Sequence, residues 1–278
     1  MKTNKLNRCI SYLFKSTLVS SYTYIYIFLI PLIFEILFYF LLIKNRIDDN
    51  RIITIAPILL FSLNLCSLFV THLIISWRET IFLKQIKNFQ INNVTFLIAL
   101  GVVYLVYSLI SLLIVCITLL LIDIIEDINK IMNLFKTTIS SPTFIFVLFF
   151  IVLNIIVIYF ISLLISGFIK NIYLIQAVSF AYLIFIISFG DYLIDSNYTN
   201  NIIYQFISYF NVEKYFNWLF YITYVNAFNG GQNLYLITLN ISNVIPFKNV
   251  YAPLFSMAVI APIIGFFSFY KFNNSTKI

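Results

Sequence analysis

Charge is scarce in this sequence. Of 278 residues, 17 are Lys or Arg and 10 are Asp or Glu, so 10% are charged and 62% are apolar. A soluble domain carries roughly 25% charged and about 45–50% apolar residues. The gap excludes a water-soluble fold and leaves a polytopic membrane protein. The formal net charge of +7 is therefore no sign of nucleic-acid binding; its placement along the chain matters more. Gly and Pro are also sparse, six of each. No stretch fits G-x-x-x-x-G-K-[ST], so the chain lacks a P-loop to cradle nucleotide phosphates. The three cysteines, Cys9, Cys66 and Cys116, sit in apolar helical settings without pairing or ligand spacing, and read as small apolar residues. His72 is the one histidine. It has no Cys or carboxylate at ligand spacing, so neither a metal site nor a cofactor is expected. No catalytic set of the H-E-x-x-H or nucleophile–base kind is present, and no enzyme activity is expected. There is no repeat at a period of about 20–50 residues. The N-terminal apolar run is too long for a cleavable signal, and no small-residue cleavage site follows it.

Long apolar runs dominate what is there. About 20 mostly apolar residues cross the hydrocarbon of a bilayer, and six stretches qualify: 24–43, 52–75, 96–122, 143–168, 172–194 and 250–270. The predicted fold is all-α with six transmembrane helices. Only Glu35 is charged well inside a span. Ser141 and Pro142 mark a helix start, with Ser141 as N-cap and Pro142 at the first helical position. Pro31, Pro253 and Pro262 fall inside spans, where packed neighbours tolerate a kink.

Lys and Arg set the orientation. With the N-terminus inside, Lys2, Lys5, Arg8, Lys15, Arg78, Lys84, Lys87, Lys170, Lys271 and Lys277 face the cytosol. Lys44, Arg46, Arg51, Lys130, Lys136, Lys214 and Lys248 face outward. Of the acids, Glu79 is expected inside, Glu35 in the membrane and the rest outside. Both termini are thus expected in the cytosol of a multi-pass cell-membrane protein. Segment 195–249 is expected outside. Its aromatic run Tyr215–Phe228 has the length of an interfacial or re-entrant segment, and Glu213-Lys214 argue against a further crossing. A place at headgroup level suits Trp218 and the tyrosines.

Two segments break the apolar pattern. In 1–23, Leu6, Cys9, Ile10, Leu13 and Phe14 share one helical side and Arg8, Ser11 and Lys15 the other, as in an interfacial helix. In 76–95 (SWRETIFLKQIKNFQINNVT), Phe82, Leu83, Ile86 and Phe89 share a side, with Lys84, Gln85, Lys87 and Asn88 opposite. Such a helix can lie on anionic lipid or fill a groove on a cytosolic partner. A surface loop that snorkels its lysines fits as well.

The order of these elements resembles the permease subunit of ABC transporters of the second exporter type, over nearly the whole chain. The closest local likeness runs from Trp77 to Leu113, with Glu79, Leu83-Lys84 and Lys87 at matching places. Thr80-Ile81 replace the usual Gly after the acidic residue, Ile91 or Asn92 stands for the connector's Pro, and the proline-bearing outer loop is missing between Ile194 and Tyr224. The resemblance implies that Trp77, Arg78, Glu79, Phe82, Leu83, Lys84, Ile86, Lys87 and Phe89 form a cytosolic coupling helix. This helix would dock into a separate ATPase subunit, and a second permease subunit would complete the transport path. ATP hydrolysis then belongs to another chain.

Glu35 is a candidate pathway or proton-coupling residue, or a partner for a neighbouring helix's polar group: a charge at mid-bilayer costs roughly 2.5–3.5 kcal/mol on insertion scales, so it should face protein or water, or be protonated. Asn64, Asn154 and Gln176 are further pathway candidates, or they hydrogen-bond between helices. Ser162 with Ser166, and Ala177 with Ala181, have small-xxx-small spacing. A secondary transporter and a non-transporting partner, such as an immunity or assembly protein, share the topology.

Overall fold

The computed structural model describes residues 2–44, 55–79, 91–126, 130–169, 171–191, 201–224, 227–230 and 246–275. Among these, every regular element is helical. Helix α1 (Lys2–Val19) precedes the first span, which chains α2 (Ser21–Tyr24), a π-turn (Ile25–Leu29), α3 (Ile30–Phe38) and a second π-turn (Tyr39–Ile43). The second span is broken at Cys66 into α4 (Ile55–Leu65) and α5 (Ser67–Glu79). Then come α6 (Asn93–Ile125), α7 (Lys130–Ser140), α8 (Phe144–Phe168), α9 (Ile172–Phe189), α10 (Ile202–Ser208), α11 (Val212–Tyr224) and α12 (Tyr251–Ser275). Six runs of these are long and apolar enough to cross a membrane. An even number of crossings puts α1 and the end of α12 on one face, here the proximal face. The Asn93 amide donates to Asn273 Oδ1 there, at 2.7 Å. The opposite, distal face holds Lys44, paired with Glu126 at 2.7 Å.

Burial ranks the spans. The α4–α5 span is 94% buried along its most apolar window, against 22% for the first, fifth and sixth. It is the central post, packed against the first, third, fourth and fifth spans. Exposed Leu29, Leu37 and Leu41 on the first span, and Phe255 and Phe266 on α12, form the lipid-facing rim that a bilayer requires.

Pro31 shapes the first span. A proline brings no N–H to the carbonyl four residues back and its ring crowds that carbonyl, here Ile27. The preceding turn widens into a π-turn, and the buried Ser111 hydroxyl of α6 donates to the Ile27 carbonyl instead. The packed neighbour thus supplies the missing donor.

Small residues bring α8 and α12 together. Ser162 and Ser166 are buried on α8, and Ser268 on α12. A Cβ on Gly167 would lie 3.2 Å from the Phe272 amide nitrogen, and one on Gly265 3.0 Å from the Phe160 ring. Ala177 and Ala181, with the same spacing on α9, face outward.

Helix α1 has the two sides read from its sequence. Cys9 and Leu13 are buried and Arg8, Ser11 and Lys15 exposed. The apolar side packs on α6, where Phe14 stacks on Tyr107 at 5.1 Å and Thr17 bonds the Tyr107 hydroxyl at 3.0 Å. Burial pushes the Cys9 thiol up from its ordinary value. Helix α8 begins at Phe144, two residues beyond the predicted first helical position. Ser141 still acts at this start: its Oγ accepts from the Thr143 N–H at 3.3 Å.

Candidate functional site

The fifth span ends sooner than its hydropathy suggests. Helix α9 stops at Phe189, and Asp191 takes the left-handed conformation with φ 55°. After the undescribed stretch 192–200, the chain turns back. Asn201 accepts from the Ile203 N–H at 2.9 Å and caps α10. Tyr204 stacks on Phe189 at 5.4 Å and donates to the Ser188 carbonyl at 3.1 Å. Its phenol is pushed up, first by burial and then by the Asp191 carboxylate, so it remains a donor. The turn residue Asn211 donates to the Phe185 and Ile186 carbonyls, both at 3.3 Å, below the distal end of α9. Asn211 Oδ1 also accepts from the Glu213 N–H at 3.1 Å, the N-cap geometry that starts α11.

Helix α11 therefore begins at depth and rises toward the distal face between α8, α12 and α4. Residues 213–223 are all buried. Of the two places left open for the aromatic run, interfacial or re-entrant, the described part takes the second: it is the inner arm of a re-entrant hairpin, with α10 as its outer arm. The reason is that the pattern serves burial on every side: Phe216, Trp218, Leu219, Tyr221 and Ile222 are each 1% exposed or less. Glu35 is also not alone at depth, as the sequence suggested: Glu213 is fully buried beside Asn154, while Asp123 and Asp191 are buried at the distal ends of α6 and α9.

Two polar clusters gather around α11. In the first, Trp218 Nε1 donates to Asp191 Oδ2 at 2.7 Å, and Lys214 Nζ lies 3.4 Å from the same oxygen. Lys214 also donates to Ser208 and sits over the Tyr209 ring at 4.5 Å. In the second, the Asn154 amide donates to Glu213 Oε2 at 3.0 Å, and Asn64 hydrogen-bonds the same carboxyl group. All three residues are fully buried. Asn154 lies ten residues into α8, which at 1.5 Å per residue is ~15 Å below the distal end of that helix.

A separate seam joins the first span to α6, which run parallel. Thr118 donates to Glu35 Oε2 at 2.6 Å, between the Ser111–Ile27 bond below and the Lys44–Glu126 pair above. Asp123 ends this seam by accepting from the Met132 N–H at 2.9 Å, which caps the distal helix α7.

The structure thus joins Asn64 and Asn154, both pathway candidates from sequence, through Glu213. It sets Glu35 apart against Thr118. Gln176 is half-buried near the start of α9. Of the coupling residues, Trp77 is 7% exposed and meets Phe96 edge-on at 5.7 Å. Arg78 and Glu79 end α5. Phe82, Leu83, Lys84, Ile86, Lys87 and Phe89 lie outside the described residues. Sequence reasoning overlooked Glu213, Lys214, Asp191 and Thr118. The signals were Gly190-Asp191 as a helix stop and Asn211-x-Glu213 as a helix start. Among the described residues, no three or more His, Cys, Asp and Glu side chains gather into a metal-holding group.

No protein-family model matches the chain, and a search of curated proteins finds no match.

Proposed function

We propose that the chain is the membrane-spanning permease subunit of an ATP-driven exporter of the second ABC type, working with a separate ATPase subunit and a second permease subunit. The observation that carries this reading is the anchoring of the 80–92 connector. Its entry is held by Trp77 against Phe96, and its exit by Asn93 against Asn273. A force on the connector would therefore reach the central post α4–α5, α6 and the last span together. Two alternative packings of those spans are the kind of bistable element that such a force can switch. The absence of a phosphate-binding loop fits an ATPase on another chain.

The test is the substitution of Phe82 and Ile86 by Asp, which places charge on the connector's apolar side. The partner ATPase should cease to copurify with the membrane complex. Retained copurification would refute the docking assignment.

A second reading, an ion-coupled secondary transporter, is favoured by the buried Glu213 cluster, because acids held at depth mark ion pathways. Transport by reconstituted vesicles separates the two: the permease needs ATP and its ATPase, whereas the secondary transporter needs only an ion gradient.

A further inference from the structure

We propose that the Glu213 cluster is a binding site for one positive charge, a proton or a sodium-sized cation, and that its occupancy seats the α10–α11 hairpin in the bundle. The inference goes beyond the permease reading and does not depend on it.

The argument starts from charge balance. Asp191, Lys214 and Glu213 are buried within one hairpin and its anchor. Lys214 is held by Asp191, Ser208 and the Tyr209 ring. That leaves the Glu213 carboxylate with no cationic partner among the described residues. An ionised carboxylate cut off from water is strongly disfavoured unless it is paired or neutralised. Asn154 and Asn64 soften the cost by donating to it, but amides carry no charge.

The second observation is a pair of oxygen atoms. Glu213 Oε1 and Asn154 Oδ1 are buried and have no hydrogen-bond partner among the described residues. They belong to side chains joined through Oε2, so one cluster leaves two buried oxygens without a donor. Two hard oxygens, one of them anionic, suit a monovalent cation or a shared proton. A divalent ion would need more carboxylates.

Among the described residues, the helices packed on α11 bring no further charge to Glu213. Helices α4 and α8 bring the two asparagines, and α9 and α6 bring Tyr182 and Tyr104, both close enough to feel the charge on Glu213. On α12 the charged residue is Lys271, which stands over Phe168 at the proximal end, 4.6 Å from its ring. Three residues at and before the first turns of α11 fasten the hairpin: Asn211 to α9, Glu213 to α8, and Asn217 to the Gly190 carbonyl. Neutralising Glu213 therefore removes a penalty at the point that holds the hairpin down.

The test uses the full-length protein in lipid nanodiscs, with Trp77→Phe so that Trp218 reports on the hairpin. Unfolding temperature and Trp218 emission are followed as sodium replaces N-methylglucamine at fixed pH, and as pH falls without sodium. The expected result is a rise of several degrees, with an emission shift, in at least one series. A response to sodium at constant pH identifies a metal ion, and a response to acid alone identifies a proton. Glu213→Gln should lose both responses and, in alkaline sodium-free buffer, unfold no lower than the parent. Asn154→Asp, which keeps the acid and adds a second, should raise sodium affinity several-fold or move the acid response to higher pH. Insensitivity of the parent to both sodium and pH, or responses that persist unchanged in Glu213→Gln, would overturn the proposal. An Asn154→Asp protein whose responses match the parent would overturn it too.

Discussion

The Ser111 hydroxyl reaches across from α6 to the carbonyl of Ile27, the one that Pro31 leaves without its helical donor. This bond repairs a proline inside a span. Ser111→Ala should therefore destabilise the protein by about 1–2 kcal/mol, the cost of a buried acceptor left unsatisfied. With Pro31→Ala in the background, the loss should shrink, because alanine at that position restores the N–H. Equilibrium unfolding in mixed micelles across the four proteins of this cycle measures the coupling, and strict additivity would contradict the repair.

The Asp191–Lys214 pair is fully buried at 3.4 Å. Lys214→Met leaves Asp191 its Trp218 donor but no cation, and should cost about 3–5 kcal/mol, as for other broken buried pairs. Adding Asp191→Asn should recover most of it, since the amide oxygen can still accept from Trp218. A double variant as unstable as the single one would show that the pair's geometry matters more than its charge.

Glu35 takes its hydrogen bond from Thr118 at 2.6 Å. Glu35→Gln keeps an acceptor there and should leave stability within about 1 kcal/mol of the parent, whereas Thr118→Val strands the buried carboxyl group and should cost about 1–3 kcal/mol. Unfolding of the two variants decides. A Glu35→Gln protein with normal stability but altered transport would mark Glu35 as a pathway residue and not a mere helix fastener.

Close approach of α8 and α12 depends on Gly167, where an added Cβ would meet the Phe272 backbone at 3.2 Å. Gly167→Leu should lower stability by about 1–3 kcal/mol through overpacking. Gly167→Ala should cost less. A neutral Gly167→Leu variant would mean that the two helices separate without penalty.

Labelling with a membrane-impermeant maleimide checks the sidedness. Asn92 and Asn274 belong to the proximal face and Asn201 to the distal one, and all three are exposed. With native Cys9 and Cys66 buried and the Cys9 thiol held protonated, the native background should be low. In intact cells, Asn201→Cys is expected to react and Asn92→Cys to react only after permeabilisation. The reverse pattern would put the 80–92 connector outside and remove the permease reading.

Much of the fold was legible because hydropathy reports length. A run without charge from Ile52 to Ile75 has to cross the membrane, and α1 shows its two sides through the placing of Arg8, Ser11 and Lys15. The candidate site was only half legible. Asn64 and Asn154 stood out as polar residues within spans, but their partner Glu213 sits beside a lysine in a segment that looked aqueous. Nothing local to that segment announces that Lys214 will turn to Asp191 and Glu213 to α8.

The sequence by itself determined the class, the spans and the helix sides of α1, because the cost of placing charge in hydrocarbon is a property of each residue. Tertiary structure decided which span is the central post, that Tyr215–Thr223 lies within the bundle, and that Ser111 completes a neighbour's backbone. The physical reason is that lipid is as apolar as a protein core. Hydrophobicity therefore says that a residue avoids water, and only packing says whether it meets lipid or another helix.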